Sequence, residues 1–218
     1  EAINSVINQT YKNWHLYIVD DHSDDNSVKV IDKFLNLENV TVLKLYKNKG
    51  PSFCRNYAMR ISKSKYISFI DSDDNWLGNK LEKQISFMEK HNLNFTYTDY
   101  TPFFESFGKK KIKERTFLKD HFVYRTFVKN SSINTSTMII ARSILSSHRF
   151  RKIKLLEDYL FKCELLKSKN IAKKLDKDLA FYRILSKSRS SQRLKNIYWL
   201  WHINKTFNKM NFLQNLTS

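Results

Sequence analysis

The 218 residues suit one domain, or one domain with a C-terminal appendage, and a 41% hydrophobic share with 16 Phe and 11 Tyr can build a sizeable core. The formal charge of 39 − 21 = +18 favours polyanions such as nucleic acid, anionic lipid headgroups or phosphorylated small molecules, although an AT-rich genome would enrich Lys in the same way. Two cysteines, Cys54 and Cys163, exclude a disulfide framework or a CxxC metal site and read as buried free thiols; no stretch reads as a signal peptide or a membrane span.

Residues 1–13 read as a helix and its exit, and "LYIV" at 16–19 as a short strand that runs into Asp20 and Asp21. Helical spacing through Val28, Ile31 and Leu35 predicts a helix over 27–36, followed by a strand at 41–45. Gly50 supplies a turn and Pro51 a first helical position, opening a helix that carries Phe53 to Ile61. "YISFI" at 66–70 is the next strand, Leu81, Ile85 and Met88 mark another helix, and "NFTYT" at 94–98 another strand. This alternation predicts right-handed βαβ units on a parallel sheet. After about residue 100 the rhythm fails: "GKKKIKER" reads as a solvated basic loop, "STMIIA" at 136–141 as a strand, and 157–168 and 192–213 as helical.

Asp71, Asp73 and Asp74 follow the apolar run at 66–70 within four positions, and Asp20-Asp21 stand at the end of the first strand. Ligands of an open parallel sheet bind beyond the carboxyl ends of its strands. A hard divalent cation takes one or two carboxylates plus substrate phosphates there, and Asp-x-Asp on a turn suits that role. The alternative for such acids is a helix N-cap, which Asp74 or Asn75 could supply.

The stretches "INSVINQTYKNWHLYIVDDHSDDNS", "NKGPSFCRNYAM" and "YISFIDSDDNWLGNKLEKQI" resemble the nucleotide-sugar half of family 2 glycosyltransferases over about residues 1–100, with "LLEDYLF" and "FYRILSKSRSS" as looser matches in the second half. The nearest flavour is that of bacterial enzymes building capsule or teichuronic-acid-type envelope polysaccharides. The resemblance implies a GT-A α/β fold, a mixed, mainly parallel sheet flanked by helices. Residues 1–100 would be the nucleotide-sugar half, 101–191 the acceptor half of the same domain, and 192–218 a C-terminal amphipathic helix. It also implies an inverting, metal-dependent transfer from a nucleoside-diphosphate sugar, UDP-linked, to a saccharide or lipid-linked acceptor. One of Asp20 and Asp21 would meet the base, Arg55 would sit near the nucleotide, Asp71 would bind ribose, and Asp73 would hold Mn²⁺ or Mg²⁺. Glu157-Asp158 would supply the general base, as Asp158, and Arg183 would bind phosphate or acceptor. His148 and His202 carry no spacing that marks ligands.

Two departures stand inside the motifs, His22 where the family commonly has Gly and Cys54 where it has Ala. The family's preceding strand is absent before "EAINSV", which suggests an N-terminally truncated sequence. In the last segment Leu194, Ile197, Tyr198 and Trp201 share one helical face among basic residues, suited either to a membrane interface, with a cytoplasmic protein held at the inner face of the cell membrane, or to packing on the domain. The competing readings are a catalytically silent fragment of this fold and a basic polyanion-binding protein. No nucleic-acid-binding signature supports the latter, and nucleic acid is not expected as a partner.

Overall fold

The first strand, β1 (Leu16–Asp20), pairs in parallel with β2 (Val40–Lys44) as a two-stranded sheet. The computed structural model describes residues 1–106, 109–145, 147–185, 193–211 and 215. Helix α1 (Ala2–Ile7) precedes β1, and α2 (Ser27–Asp32) crosses to β2. The helix predicted over 27–36 stops early; Leu35 is half exposed and holds no core position.

Between β2 and α3 (Pro51–Ile61) the chain must reverse sharply. Gly50 adopts φ +85 and ψ 162, a conformation essentially reserved for glycine, and Pro51 opens the helix at its first turn. Asp21 fixes this corner, because its two carboxylate oxygens accept the main-chain N–H of Lys49 at 2.7 Å and of Gly50 at 2.8 Å.

The second sheet starts with β3 (Tyr66–Ser68), shorter than expected, and includes β4 (Asn75–Trp76), β5 (Phe95–Ser106), β6 (Lys109–Ile112), β7 (His121–Phe122), β8 (Ile139–Ala141) and β9 (Ala172–Arg183). Its order is β3-β8-β5-β9-β4, with β6 added to β5 and β7 to β9. The expected parallel pairing occurs in β1–β2 and β5–β9, while β3–β8, β5–β8, β4–β9, β5–β6 and β7–β9 are antiparallel. The sheet is therefore mixed and not mainly parallel. β5 runs across residue 100, so the two halves share one sheet. The basic segment read as a loop is in part β6, a lysine-bearing edge strand of the kind that discourages further pairing.

Helix α4 (Lys80–Lys90) buries Leu81, Ile85 and Met88 as its spacing predicts. It also buries Gln84, whose amide nitrogen donates to Thr96 Oγ1 at 3.1 Å and to the Thr137 carbonyl at 3.0 Å. Following α5 (Tyr124–Phe127), α6 (Glu157–Lys167) is buried nearly all round, which a one-sided apolar stripe would not produce. Phe161 of α6 stacks on Phe150 at 4.0 Å between ring centroids, and Phe69, just after β3, meets both rings edge-on. This aromatic cluster lies between the residues that carry the aspartates and the start of α6. The last helix, α7 (Arg193–Thr206), packs through Ile203 and Leu200.

His22 is held at φ +64, the left-handed region in which a side chain is disfavoured. His22→Gly is expected to gain up to about 1 kcal/mol of stability. Gly50→Ala should lose about 1–3 kcal/mol through backbone strain alone, since an added Cβ would meet nothing within 4 Å. Thermal or urea unfolding of the two variants, which should move in opposite directions, checks both.

Candidate active site

Arg55, on the second turn of α3, is the residue on which distant segments converge. One terminal nitrogen donates to Asp71 Oδ1 at 2.7 Å and the other to Glu157 Oε1 at 3.2 Å. Its guanidinium lies over the Phe150 ring at 5.3 Å, so the aromatic cluster supports it from beneath. The side chain is only 17% exposed, which makes both carboxylates necessary partners for the buried cation. The loop after β3 is thereby tied directly to the first turn of α6.

Ser136 organises the rest of that loop. It lies in a 3₁₀ turn (Thr135–Thr137), whose start is capped by Asn134 Oδ1 accepting the Ser136 N–H at 2.7 Å. The Ser136 hydroxyl donates to Asp74 Oδ2 at 2.5 Å and accepts the Asp71 N–H at 3.0 Å. Its carbonyl accepts the Trp76 indole N–H at 2.7 Å. Asp74 also accepts the Arg183 main-chain N–H at 3.0 Å. Burial pushes the Asp74 carboxyl up to about 7, and nearby Asp71 and Asp73 add to the rise against these hydrogen bonds. Asp74 is thus a buried anchor of the loop. The helix cap expected of it, or of Asn75, falls instead to Asn79, ahead of α4, while Asn75 begins β4.

Asp73 differs from its neighbours. Its carboxylate is half-buried, its pKa is raised by burial and by Asp71, and it receives no hydrogen bond from another residue among those described. Arg183 offsets that rise only in part, and a carboxylate so placed suits a cation ligand. Among the described residues no three acidic, His or Cys side chains converge on a metal position, so Asp73 could contribute one ligand, with phosphate oxygens and water completing the shell.

Asp158 is anchored through a single oxygen. Its Oδ2 accepts Lys162 Nζ at 2.7 Å and Thr135 Oγ1 at 3.1 Å, and the side chain remains a third exposed. Burial acts to raise its pKa, but Lys162, Arg55 and Thr135 outweigh it and hold the carboxyl below the ordinary range. Lys162 is itself buried and also donates to the Ile133 carbonyl at 2.6 Å. Leu156, immediately before α6, sits at φ +62, and this left-handed residue turns the chain into the helix so that Glu157 and Asp158 stand at its first turn.

Asp20 and Asp21 occupy the end of β1, across α3 from the loop. Both oxygens of Asp21 are committed to the Gly50 corner. Asp20 is buried, and among the described residues its carboxylate accepts the longer 3.3 Å bond from the Ser23 N–H. Cys54 fills the space between Asp21 and Arg55; burial, then Asp21, pushes its thiol up to about 11, leaving it protonated. Cys54 is half-buried and Cys163 buried, and both are free thiols. Arg183, at the end of β9, donates Nε to the Asp73 carbonyl at 2.9 Å and its terminal nitrogens to Glu105 and Glu1. His148 bonds Ser168 and the Ile144 carbonyl, and His202 stacks on Tyr198; neither approaches the site residues.

The structure therefore joins Arg55, Asp71, Glu157 and Asp158 on one side and Asp73 with Arg183 on the other, through the shared loop. Sequence reasoning missed Ser136, Thr135 and Lys162. Only Lys162 carried a readable signal, its i+4 spacing from Asp158. It also missed Lys80, buried behind the loop with Nζ 3.4 Å from Ser68 Oγ and 4.1 Å from the Trp76 ring centroid, whose pKa burial pushes down to about 7.

The profile of Glycosyl transferase family 2 matches residues 1–160, a span that holds all of these groups except Lys162 and Arg183. The chain belongs to that family. It is 33% identical over 206 residues to the UDP-Glc:alpha-D-GlcNAc-diphosphoundecaprenol beta-1,3-glucosyltransferase WfgD of Escherichia coli, covering 93% of this chain and 78% of the relative. Among solved structures, Staphylococcus aureus TarS 1–349 in complex with UDP-GlcNAc superposes with a TM-score of 0.74 at 21% identity. That match covers 93% of this chain and 60% of the TarS chain. The mannosyltransferase PcManGT of Pyrobaculum calidifontis, in complex with GDP-Man and Mn²⁺, superposes at 0.70 with 11% identity, covering 96% and 60%. The fold is GT-A, as the sequence implied, and the chain spans about three-fifths of these solved chains.

Because Asp74 has a raised pKa, the folded protein binds more protons than the unfolded chain between the ordinary carboxylate range and about 7. Stability should therefore fall as pH rises through that window. Asp74→Asn keeps an acceptor for the Arg183 N–H and removes the titration. Its melting temperature relative to the native protein should rise between pH 5 and pH 8, measured by calorimetry at both values.

Proposed function

We propose that this chain is an inverting, metal-dependent glycosyltransferase that moves a sugar from a UDP-type donor to a lipid-linked saccharide of an envelope polysaccharide. The observation that carries the reading is the half-buried Asp73 carboxylate, without a hydrogen bond from another described residue and two positions from an Asp71 bridged through Arg55 to the first turn of α6. The names of its relatives support the donor and acceptor classes, since WfgD is named for UDP-Glc and a diphosphoundecaprenol acceptor.

In this mechanism Asp71 accepts hydrogen bonds from the nucleoside hydroxyls while Arg55 holds it in place. Asp20 retains acceptor capacity for the base; Asp21 works at one remove by shaping the Gly50 corner beneath it. A divalent cation on Asp73, Mn²⁺ or Mg²⁺, would supply charge stabilisation to the leaving diphosphate. Asp158, fixed by Lys162 and Thr135 through Oδ2, offers Oδ1 to the acceptor hydroxyl. The hydroxyl oxygen attacks the anomeric carbon, its proton passes to Asp158, and the bond from that carbon to the diphosphate oxygen breaks with inversion. The depressed pKa keeps Asp158 ionised at neutral pH, so the proton moves late, once bond formation has made the hydroxyl acidic. Glu157 steadies Arg55 in place of transferring a proton. Arg183 positions the Asp73 carbonyl, with its guanidinium already committed to protein acceptors.

Calorimetric titration of UDP with and without Mn²⁺ tests the donor site. Binding should need the metal and fall at least about tenfold in Asp73→Asn, a loss of roughly 1.4 kcal/mol. Metal-independent binding that survives Asp73→Asn sinks the metal assignment. Asp158→Asn should leave UDP binding intact and lower turnover about 10²–10⁴-fold in a radiolabelled-sugar transfer assay. Near-normal turnover would remove Asp158 as the base.

A further inference from the structure

Helix α7 is apolar on more than one side, and its packing uses only one of them. Ile203 is fully buried and Leu200 packs on the main core. Asn204 is fully buried as well, its Oδ1 accepting the Tyr159 hydroxyl at 2.7 Å. On the outward side, Leu194 is 83% exposed, Ile197 56%, Tyr198 59% and Trp201 38%. Their i, i+3, i+4, i+7 spacing forms one continuous stripe. The other large exposed apolar residues, such as Tyr46, Ile112 and Phe117, come from separate parts of the chain. Leu194, Ile197 and Tyr198 are more than half exposed, and Lys205 Nζ lies 4.9 Å from the Trp201 ring centroid.

We propose that this face of α7 docks on an anionic bilayer, with Leu194, Ile197, Tyr198 and Trp201 entering the interface and Lys195 and Lys205 meeting the headgroups. Charge complementarity selects this occupant. From residue 184 to the end the sequence holds six Lys or Arg and no Asp or Glu. Lys195, Lys205 and Lys209 are exposed on or just after the helix. A second copy of a +18 chain would bring like charges together across the same face, whereas an anionic membrane attracts each basic residue near it. Tyr and Trp favour the boundary between headgroups and acyl chains, where an apolar ring and a polar edge are both accommodated. Among the described residues no helix is long and apolar enough to cross a membrane, so the contact would be peripheral.

The docked face also bears on the site. Tyr159, which holds Asn204, directly follows Asp158, and Lys167 at the other end of α6 donates to the Phe207 carbonyl at 3.1 Å. A bilayer bound by α7 would therefore be registered to the helix that begins with Glu157 and Asp158. For its purpose this inference rests on the lipid-linked acceptor proposed above; for its test it does not.

Flotation with vesicles of equal parts phosphatidylglycerol and phosphatidylcholine, set against pure phosphatidylcholine, measures the docking without donor or acceptor. The protein should float with the anionic vesicles and much less with the neutral ones. The double variant I197E/Y198E should lose partitioning on the order of tenfold or more, with an unchanged melting curve and unchanged UDP affinity. K195E/K205E, altered only at exposed lysines, should lose binding in the same direction and serves if the first variant folds poorly. Full binding by both variants, equal binding to the two vesicle types, no flotation at all, or a lipid-free dimer abolished by I197E/Y198E would each overturn the proposal. Protein that binds UDP but ignores vesicles would sink only this surface. Protein that binds vesicles but not UDP would sink only the transferase reading.

Discussion

A buried guanidinium held between two carboxylates on separate elements sets the geometry of this site. Arg55 is mostly removed from water, and a cation in that position is tolerated only while Asp71 and Glu157 both face it. The fork shape matters as much as the charge, because two different nitrogens make the two contacts and a point cation could not span them in the same way. Phe150 beneath the guanidinium, itself packed on Phe69 and Phe161, makes the arrangement part of the core. The position of the aspartate loop and that of α6 are consequently one structural variable.

The charge distribution around the fork explains why the site can expect a ligand. Asp71 and Glu157 share Arg55, Asp158 has Lys162, and Asp74 is satisfied by Ser136 and the Arg183 main chain while its raised pKa favours the neutral form. Asp73 alone among these carboxylates is left without a hydrogen-bonding partner from another described residue. Arg183 offsets only part of the cost of a half-buried acid beside a like charge, so the arrangement makes physical sense if a cation completes it.

The first hundred residues were legible because their pattern is carried by short local signals. An apolar strand that ends in clustered acids, and a Gly50-Pro51 corner before a helix, can each be read within a few residues, and β1, α3 and α4 fall where those signals place them. Asp21 was legible as a residue but not in its detailed position, since its engagement of the Lys49 and Gly50 N–H groups spans nearly thirty residues. Ser136 and Thr135 left no trace, because a hydroxyl that organises a loop some sixty residues away looks like any other serine or threonine. The antiparallel pairings escaped for a related reason. Strand direction is set by nonlocal register, and the long β9, which no alternation marks in the sequence, pairs parallel with β5 but antiparallel with β4 and β7.

Helix α7 shows where periodicity itself stops being informative. It buries Asn204 beside Ile203, and Asn208 just after its end, while Leu194, Ile197 and Tyr198 nearer its start are more than half exposed. The amides tie the helix end to α6: Asn204 Oδ1 accepts both the Tyr159 hydroxyl and the Asn208 amide at 2.7 Å. An apolar stripe read from sequence therefore identified a real face of α7 without showing whether it faced the core. The buried polar junction bears on the matter, because moving Asn204 away from α6 would leave its amide and the Tyr159 hydroxyl without these partners, a loss that apolar burial would have to exceed.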